Sequence, residues 1–120
     1  GSGAGLFPII TASMVQFILA EAALTLGTTG DARTYAGNGI RLNLEAINNF
    51  VAAPGNLGVQ LPAATITAFV NNRLAQYDAS GQTGRLRGIM IEKYISLFGN
   101  GIESYNDYRR TGFPELMVPI

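Results

Sequence analysis

The stretch Ile91-Glu92-Lys93-Tyr94-Ile95-Ser96-Leu97-Phe98-Gly99-Asn100-Gly101-Ile102-Glu103-Ser104-Tyr105-Asn106-Asp107-Tyr108-Arg109-Arg110-Thr111-Gly112-Phe113-Pro114 decides the fold class of this chain. An apolar stripe with helical spacing runs to Phe98 and meets Gly99-Asn100-Gly101. Asparagine and glycine tolerate left-handed backbone angles, so this triplet reads as a helix break. A short helix over roughly 102–110 follows, carrying tyrosines and arginines. Phe113-Pro114 opposes its continuation, because the residue before a proline is pushed out of the helical region.

The same grammar extends toward the N-terminus. Before the break, a helix starting near Thr83 or Gly84 presents Leu86, Ile89, Met90, the aliphatic stem of Lys93, Tyr94 and Leu97 on one face. Upstream of the turn Ala79-Ser80-Gly81-Gln82, Pro62 fits the first turn of a helix whose stripe is Ile66, Phe69, Val70, Arg73, Leu74 and Tyr77. Residues 54–61 form a loop by composition. A further stripe, Ala36, Ile40, Leu44, Ile47 and Val51, belongs to a helix capped by Asp31. Gly37 and Gly39 inside it each cost about 1 kcal/mol against alanine, which the close approach of a neighbouring backbone would offset. The first helix spans about Ala12 to Leu26, capped by Thr11 or Ser13 and stopped by Gly27-Thr28-Thr29-Gly30. No stretch sustains the period of two that a sheet needs.

The expected class is therefore all-α, with about five helices joined by short loops and sequential neighbours antiparallel. The expected organisation is one helical domain or fragment over 1–120: a flexible lead-in at 1–8, a helical hairpin at 9–53, the loop at 54–61, helices at 62–112 and an extended apolar tail at 113–120. The first two helices form a hairpin of tetratricopeptide-like type, without a strict repeat of 34 residues.

Composition narrows the function. The chain has 120 residues, enough for one core, with 48% hydrophobic and only 13% charged residues, about half the usual ~25%. Eight basic and eight acidic residues cancel, so the basic excess of a nucleic-acid binder is missing. There is no cysteine and no histidine, which excludes a disulfide, a thiol nucleophile, the usual zinc sites and a Ser-His-Asp triad. Ile9 to Leu26 is apolar enough to raise the question of a membrane, but Glu21 near its middle would be costly in lipid. An interior helix, hydrophobic nearly all round, is the expectation.

A few side chains could carry chemistry. Glu103 and Asp107 lie four apart on one helix face and could serve as an acid/base pair of a glycoside hydrolase or hold a hard cation. They read more simply as a solvated face near the positive helix N-terminus. Tyr105, Tyr108, Arg109 and Arg110 could contact a sugar or a phosphate. Equally, Tyr105 and Arg109 can stack on each other. Glu21, the only charge in its helix, calls for a cationic partner, with Arg41, Lys93 and Arg109 as candidates. Asn48, Asn49, Asn71 and Asn72 could bond sugars or simply cover uncharged surface. No catalytic residue, metal site, cofactor site or ligand-binding residue emerges from these patterns, and Gly1-Ser2-Gly3-Ala4-Gly5 lacks the strand a dinucleotide loop requires.

Two segments carry a family resemblance. Pro8-Ile9-Ile10-Thr11-Ala12-Ser13-Met14-Val15-Gln16-Phe17-Ile18-Leu19-Ala20-Glu21-Ala22-Ala23 is similar to a run T-x-x-E-x-x-F-I-L-A-E-A-A. Gly30-Asp31-Ala32 and Tyr35 with Gly39-Ile40-Arg41 reproduce the turn and the Y-x-x-G-I-R that follow that run. The Ile91–Pro114 stretch is the second segment. Together they resemble the SusD/RagB family of nutrient-binding outer-membrane lipoproteins. Ala12-Ser13-Met14-Val15 departs from the family's Tyr-Ala-Glu, and Gly37-Asn38 from its better helix former.

The resemblance implies a non-catalytic, all-helical protein on the outer face of the outer membrane, held by an N-terminal lipid anchor absent from this chain. Such a protein captures an oligosaccharide or other nutrient and delivers it to a TonB-dependent transporter of the SusC type. Full-length members are several times longer, so the resemblance also implies that this is a C-terminal structural part, partnered by the rest of the full-length chain. An alternative is a helical-repeat adaptor that binds a protein or peptide in its groove.

Overall fold

The computed structural model describes residues 9–55 and 58–115. It contains five helices among these residues and no strand: α1 (Ala12–Leu26), α2 (Ala32–Ala52), α3 (Ala63–Asp78), α4 (Gln82–Ser96) and α5 (Gly101–Thr111). The all-helical expectation holds. The lead-in at 1–8 and the tail from Leu116 lie outside the described residues.

Local chemistry places the helix ends. Thr11 caps α1, its hydroxyl accepting from Met14 N at 3.1 Å. Asp31 caps α2 by accepting from the backbone and hydroxyl of Thr34, which holds its carboxyl below the usual range. Gly27 and Gly112 end α1 and α5 at φ of 65° and 77°, where a side chain would be strained. At the break before α5 the two residue types divide the work. Gly99 takes the left-handed angle, φ 88°, while Asn100 stays at φ −114° and caps α5 by accepting from Glu103 N at 3.3 Å. The expectation that asparagine also turns left-handed is thus corrected. Pro62 sits one residue earlier than expected, as the N-cap of α3.

Helix α1 packs on α2 and α4, and α2, α3 and α4 pack on one another. Pairs joining α2 to α3 and to the chain just before it are Arg33 with Asp78, Gly37 with Leu74, Arg41 with Thr67, and Asn48 with Leu61. One number rises as the other falls, so these helices run antiparallel. The core is a cluster of Phe17, Ala20, Ala36, Ile40, Ile66, Val70, Ile89 and Met90, two residues from each of four helices. Phe113 packs on it from beyond α5.

Three expectations about packing change. First, α2 buries its glycine-bearing half (Ala32, Ala36, Gly37, Gly39, Ile40), whereas Ile47 and Phe50 are exposed. The start of α1 meets α2 at Gly39, whose carbonyl accepts from Ser13 Oγ at 2.8 Å. Second, the glycines make room for side chains rather than for a backbone. A Cβ on Gly39 would lie 2.8 Å from the Phe17 ring, and one on Gly37 3.1 Å from Leu74. Third, α1 is not interior all round. Ser13, Met14, Phe17 and Ala20 are buried, but Val15, Ile18, Leu19 and Leu26 remain exposed.

Candidate functional site

Four of the residues singled out by sequence, Glu21, Lys93, Asp107 and Arg110, converge at the junction of α1, α4 and α5, though not in the expected pairs. Lys93 lies on the apolar stripe of α4 between Ile89 and Leu97, so its ammonium enters the protein rather than only its stem. Asp107 on α5 meets it there, with Nζ at 2.9 Å from Oδ1 and 2.7 Å from Oδ2. The two side chains are 3% and 9% exposed. A buried charge requires this kind of partner, because leaving water costs far more than an unpaired ion can regain.

Arg110 extends the pair into a network. Its Nη2 donates to Asp107 Oδ1 at 2.9 Å and to Glu21 Oε2 at 2.9 Å, and its Nη1 donates to Glu21 Oε1. Hydrogen bonding to Glu21 holds the guanidinium pKa above its ordinary value, and bonding to Asp107 adds to this against the opposing effect of burial. Glu21 therefore pairs with Arg110, not with Arg41, Lys93 or Arg109. The reason is tertiary: Arg110 is three residues on from Asp107, so the turn of α5 that buries Asp107 also aims Arg110 at α1. The Glu103–Asp107 face is likewise not solvated throughout. Asp107 is buried and Glu103 half-buried in the first turn of α5.

Ile18, Glu21, Ala22 and Leu26 of α1 and Glu103, Asn106 and Asp107 of α5 line an open hollow of about 430 Å³ beside this network. Its acids and bases are already committed to one another, apart from Glu103. Among the described residues no group of three acidic side chains could hold a metal ion. The four residues that suggested a sugar site are dispersed. The Arg109 guanidinium stacks on the exposed Tyr105 ring at 5.9 Å. Arg110 turns toward Glu21, and Tyr108 is half-buried. Asn48 clamps the approach to α3, its amide bonding both Leu61 O and Leu61 N at 2.8 Å. Asn72 accepts from Gln76 Nε2 at 2.9 Å.

Sequence reasoning missed two features. One is the role of the Lys93 ammonium. The signal was present, since a cation at a core position of α4 demands an anion on whatever packs above it. The other is an open cleft of about 160 Å³ between α2, α3 and α4, with Phe17 of α1 and Ile40 among the residues lining it. Arg73 crosses its edge to Glu92, Nε to Oε1 2.8 Å. Burial raises the Glu92 pKa against the lowering effect of Arg73. Nothing in the local sequence announces a space between three helices.

The Lys93–Asp107–Arg110–Glu21 network joins the two resembling segments. The run Phe17-Ile18-Leu19-Ala20-Glu21 supplies a core ring and one end of the network, and the Ile91–Pro114 stretch supplies the rest. No helix among the described residues is long and apolar enough to cross a membrane. No curated protein and no solved structure matches the chain. A family model, SusD-like, described as starch-binding associating with outer membrane, matches residues 3–120. The matched span includes the first helix, the ion-pair network and the C-terminal helix, and the chain belongs to the SusD-like family.

Proposed function

We propose that this chain is a structural part of a non-catalytic glycan-binding protein of the outer membrane. In this reading the whole protein is anchored on the cell-surface side by an N-terminal lipid, captures an oligosaccharide, and delivers it to a TonB-dependent transporter of the SusC type. The observation that carries the proposal is the family match over residues 3–120, a family described as starch-binding. The mutual neutralisation of Lys93, Asp107, Arg110 and Glu21 supports a scaffold role, because their hydrogen-bonding capacity is spent within the fold.

The exposed face of α1 fits the same reading. Val15, Ile18, Leu19, Ala22 and Leu26 recur at helical spacing, and four of them are 42%, 43%, 37% and 78% exposed in the order Val15, Ile18, Leu19, Leu26. The rest of the full-length chain is the occupant we infer for this face. The deciding experiment is calorimetric titration of the full-length protein with maltooligosaccharides, together with co-purification from outer membranes. Saturable binding and recovery of a transporter-sized partner are the expected results. Absence of both, with a folded protein, would overturn the proposal.

A further inference from the structure

The hollow of about 430 Å³ beside α1 and α5 carries one charge that the fold leaves unanswered. Lys93, Asp107, Arg110 and Glu21 neutralise one another along its wall. Glu103, half-buried in the same wall, has a carboxylate without a hydrogen bond or ion pair among the described residues. Asn100 and Glu103 have the spacing of a capping box. Asn100 Oδ1 accepts from Glu103 N at 3.3 Å, but Asn100 N donates to Leu97 O at 2.7 Å, so the Glu103 carboxylate is not drawn back onto the cap. The start of a helix favours an acid at this position, yet it supplies no cation.

The chain has no cation to spare for it. All eight of its lysine and arginine residues lie among the described residues. Arg33, Arg73, Arg87, Lys93 and Arg110 are held by other carboxylates. Arg85 lies over Tyr77, Arg109 over Tyr105, and Arg41 reaches Thr67. The α1 side of the hollow is largely apolar, lined by Ile18, Ala22 and Leu26, with Ile18 and Leu26 exposed. An apolar strip beside a lone carboxylate matches a side chain with an aliphatic stem and a cationic head.

We propose that the hollow receives a lysine or arginine from the segment of the full-length chain that covers α1. Its charged head pairs with Glu103 and its stem lies along Ile18, Ala22 and Leu26. The inference rests on the reading above that this chain is part of a longer protein, and it adds the chemistry that sets the register of the covering segment.

Photo-cross-linking in the purified full-length protein tests it. Leu26→p-benzoylphenylalanine places the reactive group at an exposed position lining the hollow. Irradiation should attach it, within the same molecule, to a peptide outside residues 1–120 with a lysine or arginine within about four residues of the point of attachment, one helical turn. No attachment, attachment to another protein, or a peptide without a basic residue would overturn the proposal. A double-mutant cycle then tests the pair itself, with Glu103→Gln and the mapped basic residue changed to methionine, singly and together. Each single change should lower amide protection of α1 by about threefold or more, and the double change should be no worse than the worse single one. Effects that multiply independently would overturn the pairing. Maltooligosaccharide binding is read separately in the same variants, so a protein that binds glycan without coupling at Glu103 sinks this inference and leaves the proposed function standing.

Discussion

Removing the carboxylate of Asp107 should unlock α5. Lys93 is 3% exposed and Asp107 9%, and both carboxylate oxygens lie within 2.9 Å of the ammonium. In Asp107→Leu the ammonium keeps its burial and loses its counter-ion. A buried pair broken on one side costs about 3–5 kcal/mol, equivalent to roughly a hundred- to a few-thousand-fold in an opening equilibrium. Arg110 retains Glu21, so that arm of the network contributes little to the loss. Lys93→Met alone should cost somewhat less, because it leaves a carboxylate that still has Arg110. The double change Lys93→Met/Asp107→Leu should recover most of the stability, since two apolar side chains can replace a buried pair at about neutral cost. Hydrogen exchange in the full-length protein, resolved on peptides from α5 and the end of α4, reads this directly. Protection should fall by two to three orders of magnitude in Asp107→Leu, to about that extent, and return in the double variant. The reasoning would be refuted by a loss of under about tenfold in Asp107→Leu, or by a double variant no better than the single one.

Further outcomes follow from the same contacts. Arg110→Leu should cost about 1–2 kcal/mol and Glu21→Leu less, because only the first strands a mostly buried carboxylate; equal shifts in thermal midpoint would contradict this. Gly39→Ala should destabilise by about 1–2 kcal/mol, overpacking against Phe17 outweighing the gain in helix propensity. Phe17→Leu in the same chain should relieve part of that cost, as a double-mutant cycle in urea would show. Glu92 has a folded-state pKa raised by burial, so between its unfolded value and its folded value the native state binds the extra proton. Stability should therefore fall as pH rises through that window, and Glu92→Gln should flatten this part of the pH profile. The full-length protein incubated with α-glucans should release no reducing ends; turnover that disappears in Glu103→Gln would revive an acid/base reading of α5.

The helix ends were legible because capping is local. Thr11, Asp31, Gly27 and Gly112 act within a few residues of themselves, and the chain order alone exposes them. The periodic stripes likewise gave five helices and their approximate bounds. What sequence could not give is which part of each stripe finds a neighbour. Helix α2 has 21 residues and α1 has 15, and the buried residues of α2 fall in its first half, Ala32 to Ile40, although its apolar stripe continues to Val51. The partner of Glu21 was hidden for a related reason. Arg41, Lys93 and Arg109 were as eligible by type as Arg110, and the selection is made by how α5 rotates when Asp107 enters the interior. Gly39 could be read as a close approach, but only the packed helices show that a phenylalanine ring is what approaches.

The most direct test of the central claim is the maltooligosaccharide affinity of the full-length protein carrying Lys93→Met and Asp107→Leu together, measured by calorimetry under conditions where it is folded. If the C-terminal signature is a structural lock, Kd should stay within about twofold of the unsubstituted protein. A loss of tenfold or more in a folded variant, on the order of 1.4 kcal/mol, would place the sugar at the network itself and contradict the account.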